Sequence, residues 1–434
     1  MNRIPLTPRP NWQQIVERQG LAFHTLDSAG GSGSAQPYWN ESAAYEFTAA
    51  EIDTLEAAAN ELQTMCLAAA QHIIDTRRYA DLIIPPAAIP VIEAAWNAEP
   101  PALYGRFDLL WAGAQSGSPP KLLEYNADTP TSLLEAAVIQ WNWLEDVAPH
   151  LPVQTPSSRP ERPSTPQPSS RPQAAGRSGE TPVSRSCPNP DQFNSLHERL
   201  IAKWRDIAPY LQPPVYFAGV DTPEDTLTLA YLEDTARQAG LSTRRIPMLS
   251  IGWNDPRQCF VDLDEKEIHT LFKLYPWETM LAEDFGPHAL RTYPQLTWIE
   301  PIWKLLLSNK GLLPILWELY PNHPLLLQAH FDSARTMEVY VRKPLLSREG
   351  QNVAITYPDG TTVETPGAYA GSRDTRFVFQ ALAPSAIFPD AHNRPRYPVL
   401  GLWMVDQECA GMGIRESAGP ITDNLSSFIP HFFR

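Results

Sequence analysis

A guanidinium, two carboxylates and a carboxamide lie close together in the segments Arg106-Phe107-Asp108 and Lys121-Leu122-Leu123-Glu124-Tyr125-Asn126-Ala127-Asp128-Thr129. Strand side chains alternate between faces, so on two short strands Arg106 and Asp108 point the same way, as do Leu122, Glu124 and Asn126. If the strands pair across the Gly/Ser/Pro loop at 112–120, Asp108, Glu124 and Asn126 form an all-oxygen cluster with Arg106 beside it. That donor set suits Mg²⁺, which takes one or two carboxylates and fills its remaining positions with water and substrate phosphates. The same pattern also makes an ordinary polar edge hairpin, and the residues alone leave both readings open.

Two lysines bear on the choice. Lys310 follows Leu307-Ser308-Asn309 at the start of a helical segment, and Lys343 ends the strand pattern Val339-Tyr340-Val341-Arg342-Lys343-Pro344. Each alone reads as a solvated surface lysine. Beside a Mg²⁺ cluster they become candidates for holding phosphates, because charge on a transferring phosphoryl group needs both metal and fixed cations. The Ser347-Arg348-Glu349-Gly350-Gln351-Asn352 turn has a glycine that can bring backbone N–H groups close to a phosphate, or simply close a hairpin. Glu224 and Asp225 fall in the first turn of a helix, where they favour the helix dipole or offer an anionic site to an amine. There is no GxxxxGK[ST] and no GxGxxG after a strand, which removes the P-loop and dinucleotide readings. HExxH, GxSxG and paired Cys/His spacings are also absent.

These groups sit in a chain of 434 residues with net charge −15 and 43% hydrophobic residues. That length can bury one large core or two to three smaller ones. The acidity argues against nucleic acid or an anionic membrane surface as the main partner, since both require clustered Lys and Arg. It leaves room for small anionic ligands in a local basic pocket and for cationic small molecules. The first residues, Met1 to Pro8, contain no apolar stretch of signal-peptide length, and no window reaches a membrane span. Cys66, Cys187, Cys259 and Cys409 are far apart and show no metal or disulfide spacing, which favours a reducing cytoplasm. The 13 Trp, 15 Tyr and 15 Phe fall mostly at core-like spacing, which argues against a dedicated aromatic ligand platform.

The elements that must position these residues are legible in outline. Thr48-x-x-Glu51 is a capping-box signature, and Ile52, Leu55, Leu62, Met65, Ala69 and Ile73 keep a helical stripe, predicting a helix from Thr48 to Asp75. A second helix is expected at Leu133–Val147. The Pro/Ser/Arg/Gln-rich run at 152–190 reads as a disordered insertion, and Gly30–Gln36 as a smaller flexible loop. A strand at Pro214–Val220, a helix opened by Thr222-Pro223 and closed by Gly240, and a strand at Thr243–Met248 make an α/β unit. A helix at Asn309–Tyr320 and strands near Met337–Lys343, Asn352–Tyr357, Phe377–Leu382 and Val399–Val405 add an α+β layout.

Lys121-Leu-Leu-Glu-Tyr-Asn-Ala-Asp-Thr-Pro-Thr-Ser-Leu-Leu-Glu-Ala-Ala, with Tyr104-Gly-Arg-Phe-Asp before it, resembles the synthetase part of the glutathionylspermidine synthase family. So do Tyr275-Pro-Trp-Glu-Thr, Leu307-Ser-Asn-Lys-Gly-Leu-Leu-Pro-Ile-Leu-Trp and Tyr340-Val-Arg-Lys-Pro-Leu-Leu-Ser-Arg-Glu-Gly-Gln-Asn. The resemblance runs over 1–434 apart from the 152–190 insertion. It implies an ATP-grasp fold and an ATP- and Mg²⁺-dependent ligase that joins a carboxylate to an amine through an acyl phosphate. By the same resemblance Asp108, Glu124 and Asn126 are Mg²⁺ ligands, and Arg106 stabilises charge on the transferred phosphoryl group and its acceptor. ATP would be held by Arg106, Phe107, Asp108, Lys310 and Lys343, by Glu349 and Gly350 of a closing loop, and by the strand edge Phe379-Gln380-Ala381-Leu382 reading adenine. Thr129, Thr279 and Arg415 fall where the family contacts a peptide-like acid, Glu224 and Asp225 where it holds a polyamine, and Asp423 near C-terminal nucleotide and amine contacts. The chain has no room for the N-terminal amidase domain of bifunctional members, so the synthetase-only branch is expected. Its Cys409-Ala-Gly-Met-Gly-Ile-Arg-Glu-Ser-Ala-Gly segment departs from the Gly-richer equivalent of those members. An inactive ATP-binding regulatory protein of the same fold is the alternative.

Overall fold

Thr48 begins a helix as its sequence predicts. Its hydroxyl accepts from the Glu51 backbone N–H at 3.2 Å while the Glu51 carboxylate accepts from the Thr48 N–H at 3.0 Å, closing a capping box over the helix Ala49–Thr76. Ile52, Leu55, Leu62, Met65, Ala69 and Ile73 of that helix are all buried. The computed structural model describes residues 1–26, 36–152, 189–369, 375–384 and 386–434. All but the ends of the insertion expected at 152–190, Cys187 within it, and nearly all of the loop expected at Gly30–Gln36 lie outside the described residues.

The stripe of this helix packs on a six-stranded antiparallel sheet whose path runs Ser427–Phe428, Glu408–Ser417, Pro395–Val405, Tyr104–Leu110, Lys121–Asn126, with the short strand Phe388–Pro389 off that path against Pro395–Val405. Phe107, Leu109, Leu122 and Tyr125 belong to the same buried core as the helix stripe. Phe107 and Tyr125 stack with ring centroids 3.9 Å apart. The sheet's other face carries the polar residues of the two strands Tyr104–Leu110 and Lys121–Asn126.

The expected α/β unit forms a four-stranded parallel sheet in the order Thr297–Ile299, Thr270–Leu274, Val215–Gly219, Thr243–Pro247. Thr222 caps the helix Pro223–Gln238 by accepting from the Asp225 N–H at 3.2 Å. The expected α+β part follows a short helix, Leu312–Leu319, with a five-stranded antiparallel sheet in the order Ala329–Phe331, Phe377–Ala381, Tyr340–Pro344, Ala354–Thr356, Thr362–Glu364. Phe377–Ala381 is therefore interior, paired on both sides. The expected strand edge Phe379-Gln380-Ala381-Leu382 is thus covered by neighbouring strands as far as Ala381, and Leu382 follows the strand end.

The helix expected at Leu133–Val147 is interrupted by a π turn at Glu135–Ile139 before Gln140–Val147 continues it. The Gln140 amide donates to the Ala136 carbonyl at 2.6 Å and to the Met412 carbonyl at 2.7 Å, so a long-range partner takes part in the irregular turn. Among the described residues no helix is long and apolar enough to cross a membrane.

Candidate functional site

The two strands of the opening motif pair as their alternation predicts near Arg106, with Arg106 opposite Asn126 and Asp108 opposite Glu124. Beyond that point the register slips: Leu109 pairs with Leu122, leaving Leu123 as the extra residue of a bulge. The bulge reverses the facing of the strand. Leu123, Glu124 and Asn126 line the cavity, whereas Leu122 is buried in the core, so the expectation that Leu122 shares a face with Glu124 is overturned. Phe107 is likewise turned away from the cavity, its ring fully buried against Tyr125.

Arg106 grips Asp108 with two hydrogen bonds, Nε to Oδ1 at 2.7 Å and Nη2 to Oδ2 at 3.1 Å, and donates from Nη1 to the Thr131 carbonyl at 2.7 Å. Its guanidinium lies over the Trp403 ring, 5.5 Å from the centroid. Gly401 on the next strand makes room for it: a Cβ there would stand 2.9 Å from Arg106 Cδ. Asn126 Nδ2 donates to Asp108 Oδ2 at 3.1 Å and to Glu124 Oε1 at 3.3 Å, so one amide links both carboxylates.

The two lysines approach from other elements. Lys310 Nζ stands 3.1 Å from Glu124 Oε2 and also donates to the Ser347 carbonyl. Lys343, on the interior of the five-stranded sheet, donates to the Leu123 carbonyl at 3.0 Å and to Gln380 Oε1 at 2.8 Å. The charges settle each other. Burial alone would raise the Glu124 carboxyl, but Lys310 and Lys343 outweigh it and bring it down to about 2. Burial lowers the Lys343 ammonium to about 8 despite the neighbouring Glu124. Asp108 is pushed up by burial against the opposing pull of Arg106.

The turn after Lys343 closes the cavity from above. Gly350 has φ 68, and a Cβ there would meet the Thr422 carbonyl oxygen at 2.2 Å. Only glycine lets the loop lie against 421–422 in this conformation. Glu349 accepts from the Asn424 amide. Arg348, absent from the expected site, reaches inward from this turn. It donates to Thr129 Oγ1 at 2.6 Å and to Glu278 Oε1 at 2.8 Å. Its presence in the quoted Ser-Arg-Glu-Gly motif was the available signal. Thr279, expected at the acid subsite, is exposed and does not line the cavity; its neighbour Glu278 is the residue the fold brings in.

At the opposite end, Glu224 and Asp225 line the cavity at the helix start, with Ser132 Oγ 3.5 Å from Glu224 Oε1. Burial, then Glu224 and Glu349, push the Asp225 carboxyl up to about 6. Arg415 donates to the carbonyls of Ser426 at 3.2 Å and Asp423 at 3.1 Å, and lies over the Tyr38 ring. Asp423 lines the cavity too, but its carboxylate closes its own turn, accepting from the Leu425 N–H at 3.0 Å and the Ser426 hydroxyl at 3.1 Å. Gln380, Ala381 and Leu382 all reach the wall. A buried ion pair, Lys273 Nζ to Asp128 Oδ1 at 2.6 Å, fastens the end of the motif to the parallel sheet, and sequence reading had assigned it no role.

The cavity these residues enclose holds about 360 Å³. Cations (Arg106, Lys310, Lys343, Arg348, Arg415) and carboxylates (Asp108, Glu124, Glu224, Asp225, Glu349) share the lining with apolar side chains (Val341, Ile355, Leu382). Such a layout can hold a polyanion, a metal and a cation at once.

This cavity sits in a mixed α/β fold, and comparisons with known proteins show which family shares it. The family model described as glutathionylspermidine synthase preATP-grasp matches residues 3–434. The chain is 35% identical over 444 residues to a Haemophilus influenzae protein provisionally named an acid–amine ligase, with 100% of both chains covered. It is 26% identical to trypanothione synthetase of Crithidia fasciculata, covering 83% of this chain and 52% of that one. It is 24% identical to the bifunctional glutathionylspermidine synthetase/amidase of Escherichia coli, covering 78% and 51%. The chain thus spans all of the first relative and about half the length of the other two. Its fold is similar to that of a glutathione synthetase-like effector from Globodera pallida, with TM-score 0.54, 10% identity and coverage of 99% and 100%. The chain belongs to the glutathionylspermidine synthase family, and with it to the acid–amine ligases.

Proposed function

We propose that the protein is an ATP- and Mg²⁺-dependent ligase of ATP-grasp fold that joins a small, peptide-like carboxylate to an amine through an acyl phosphate. The observation that carries the proposal is the meeting of Asp108, Glu124 and Asn126 on one hairpin with Lys310 and Lys343 from two other elements. Two carboxylates and an amide oxygen suit a hard cation that keeps water and phosphate ligands.

When bound, MgATP supplies the phosphoryl group that activates the acid. Lys310 and Lys343 are placed to neutralise phosphate oxygens. Arg106 is held rigid by Asp108, the Thr131 carbonyl and Trp403. A planar cation fixed in this way costs no reorganisation when charge develops on the transferred phosphoryl group and its acceptor. Leu382 and its apolar neighbours offer a wall for the base. Thr129, Arg348 and Arg415 would hold polar groups of the acid, and Glu224 and Asp225 the cationic amine. The names of the relatives make glutathione and spermidine the first acid and amine to test.

The test is calorimetric titration of the purified protein with ATP and Mg²⁺, followed by assay of ADP release with panels of peptides and amines. ADP formation dependent on both an acid and an amine, with the amide product seen by mass spectrometry, is the expected result. Absence of ATP binding overturns the reading. ATP binding without ADP release across the panels turns it into a binding-only, regulatory protein.

A further inference from the structure

We infer that Gln380 is a positioning residue for Lys343 and does not read the nucleotide base. The inference rests on the nucleotide-binding reading above. Gln380 is 2% exposed, and both ends of its side-chain amide are engaged: Oε1 accepts from Lys343 Nζ at 2.8 Å and Nε2 donates to the Leu122 carbonyl at 3.0 Å. Only this orientation works, because the reversed amide would set an N–H₂ against the ammonium and an oxygen against the carbonyl. The Gln380 backbone lies in a strand paired on both sides, opposite Val341 and Ala329, so no strand edge is free there.

The geometry around Lys343 gives the amide its purpose. An ammonium has three donors. One is taken by the Leu123 carbonyl at the hairpin bulge and one by Gln380, which leaves the third for a ligand in the cavity that Lys343 lines. Leu122 and Leu123 are successive residues of that bulge. Their carbonyls receive Gln380 and Lys343 respectively, two side chains on adjacent strands of the five-stranded sheet. The bulge, the glutamine and the lysine form a closed set of hydrogen bonds that aims the ammonium beside Glu124. A lysine stem has four rotatable carbons, so an ammonium without these two acceptors has no fixed aim.

The experiment measures affinities for ATP, ADP, AMP and adenosine by calorimetry with Mg²⁺, using wild type, Gln380→Met, Lys343→Met and the double variant. Gln380→Met keeps the length and shape of the side chain. It is expected to weaken ATP about tenfold, the scale of one hydrogen bond to a charged group, and to leave AMP and adenosine within about twofold by the same reasoning. The double variant is expected to bind ATP no more weakly than Lys343→Met alone, since the amide acts through the lysine. Gln380→Asn is too short to span both partners and should behave like Gln380→Met, which preserves the test if one variant does not fold. Equal losses for ATP and adenosine, or additive losses in the double variant, would overturn the inference while leaving nucleotide binding intact. Wild-type protein that binds no nucleotide overturns the function reading first and this one with it.

Discussion

Lys310 stands 3.1 Å from Glu124 and in the same position donates to the carbonyl of Ser347, so one ammonium ties the carboxylate of the hairpin to the turn that roofs the cavity. Neither residue is free to be read alone. The Glu124 carboxyl is held at about 2 because two lysines answer it, and the Lys310 ammonium, 8% exposed, is engaged by the carboxylate and the carbonyl. An incoming polyanion with its metal must exchange partners with these groups.

Replacing Glu124 by Gln should therefore harm function more than folding. The substitution keeps a hydrogen-bond acceptor for Lys310 but removes a candidate metal ligand and the carboxylate paired with the lysines. ADP release is expected to fall at least about hundredfold, the usual scale for losing a charge-stabilising group. Unfolding in urea should move by about 2 kcal/mol or less, the cost of weakening one charged hydrogen bond. Equal ADP release from Glu124→Gln and wild type would remove Glu124 from the metal set.

Arg348 is the residue that sequence reading passed over, and its contacts give it a clear expectation. Its guanidinium spans Thr129 and Glu278, a fork that a lysine cannot reproduce. Arg348→Lys should lower kcat/KM for the acid substrate by about tenfold or more, with little change in melting temperature. An unchanged kcat/KM in Arg348→Lys would return the arginine to the role of loop anchor.

Much of this site was legible from periodicity, and the misses have a common origin. Alternation placed Arg106 with Asp108 and Glu124 with Asn126, because the period of a strand is local. The same rule failed one residue further on at Leu122, where a bulge inserts Leu123, since a bulge has no fixed sequence sign. The capping box at Thr48 was readable for the same local reason. Strand order is not local: nothing in Phe377–Ala381 announces that Ala329–Phe331 will cover its outer side. Arg348 with Glu278 and Lys273 with Asp128 join residues far apart in the chain, and only the folded arrangement pairs them.

His431 provides a pH signature. It is fully buried, and burial lowers its imidazole from 6.5 to about 3. The folded protein thus refuses a proton that the unfolded chain accepts, so stability falls as pH drops below about 6.5 and the loss continues until about 3. The slope approaches about 1.4 kcal/mol per pH unit. Glu135 acts in the opposite sense, because burial raises its carboxyl from 4.5 to about 7 and its contribution is lost as pH rises through that value. Comparing wild type with His431→Asn cancels the Glu135 effect: the urea midpoint of the variant should fall less between about pH 6 and 4. Parallel midpoint curves would show that His431 takes up a proton as readily in the folded protein as in the unfolded chain.

The ion pair between Lys273 and Asp128 should be costly to break from one side. Both side chains are almost wholly buried, at 0% and 1% exposure. Asp128 also accepts from the Trp277 N–H at 3.0 Å, and Lys273 donates to the Tyr275 carbonyl at 2.9 Å and lies over the Trp277 ring. Asp128→Leu strands a buried ammonium and is expected to cost about 3 to 5 kcal/mol of unfolding free energy. Lys273→Met strands the carboxylate and should cost a similar amount. The double variant Asp128→Leu with Lys273→Met removes both charges and should recover a large part of the loss, because two desolvated ions need each other more than the fold needs them. Asp128 directly precedes Thr129 and follows the Asn126-Ala127 end of the hairpin. The double variant should therefore fold yet release ADP more slowly, since the hairpin has lost its anchor to the parallel sheet. Urea unfolding of the three variants beside an ADP-release assay separates the two effects, and additive destabilisation in the double variant would show that the pair is not coupled.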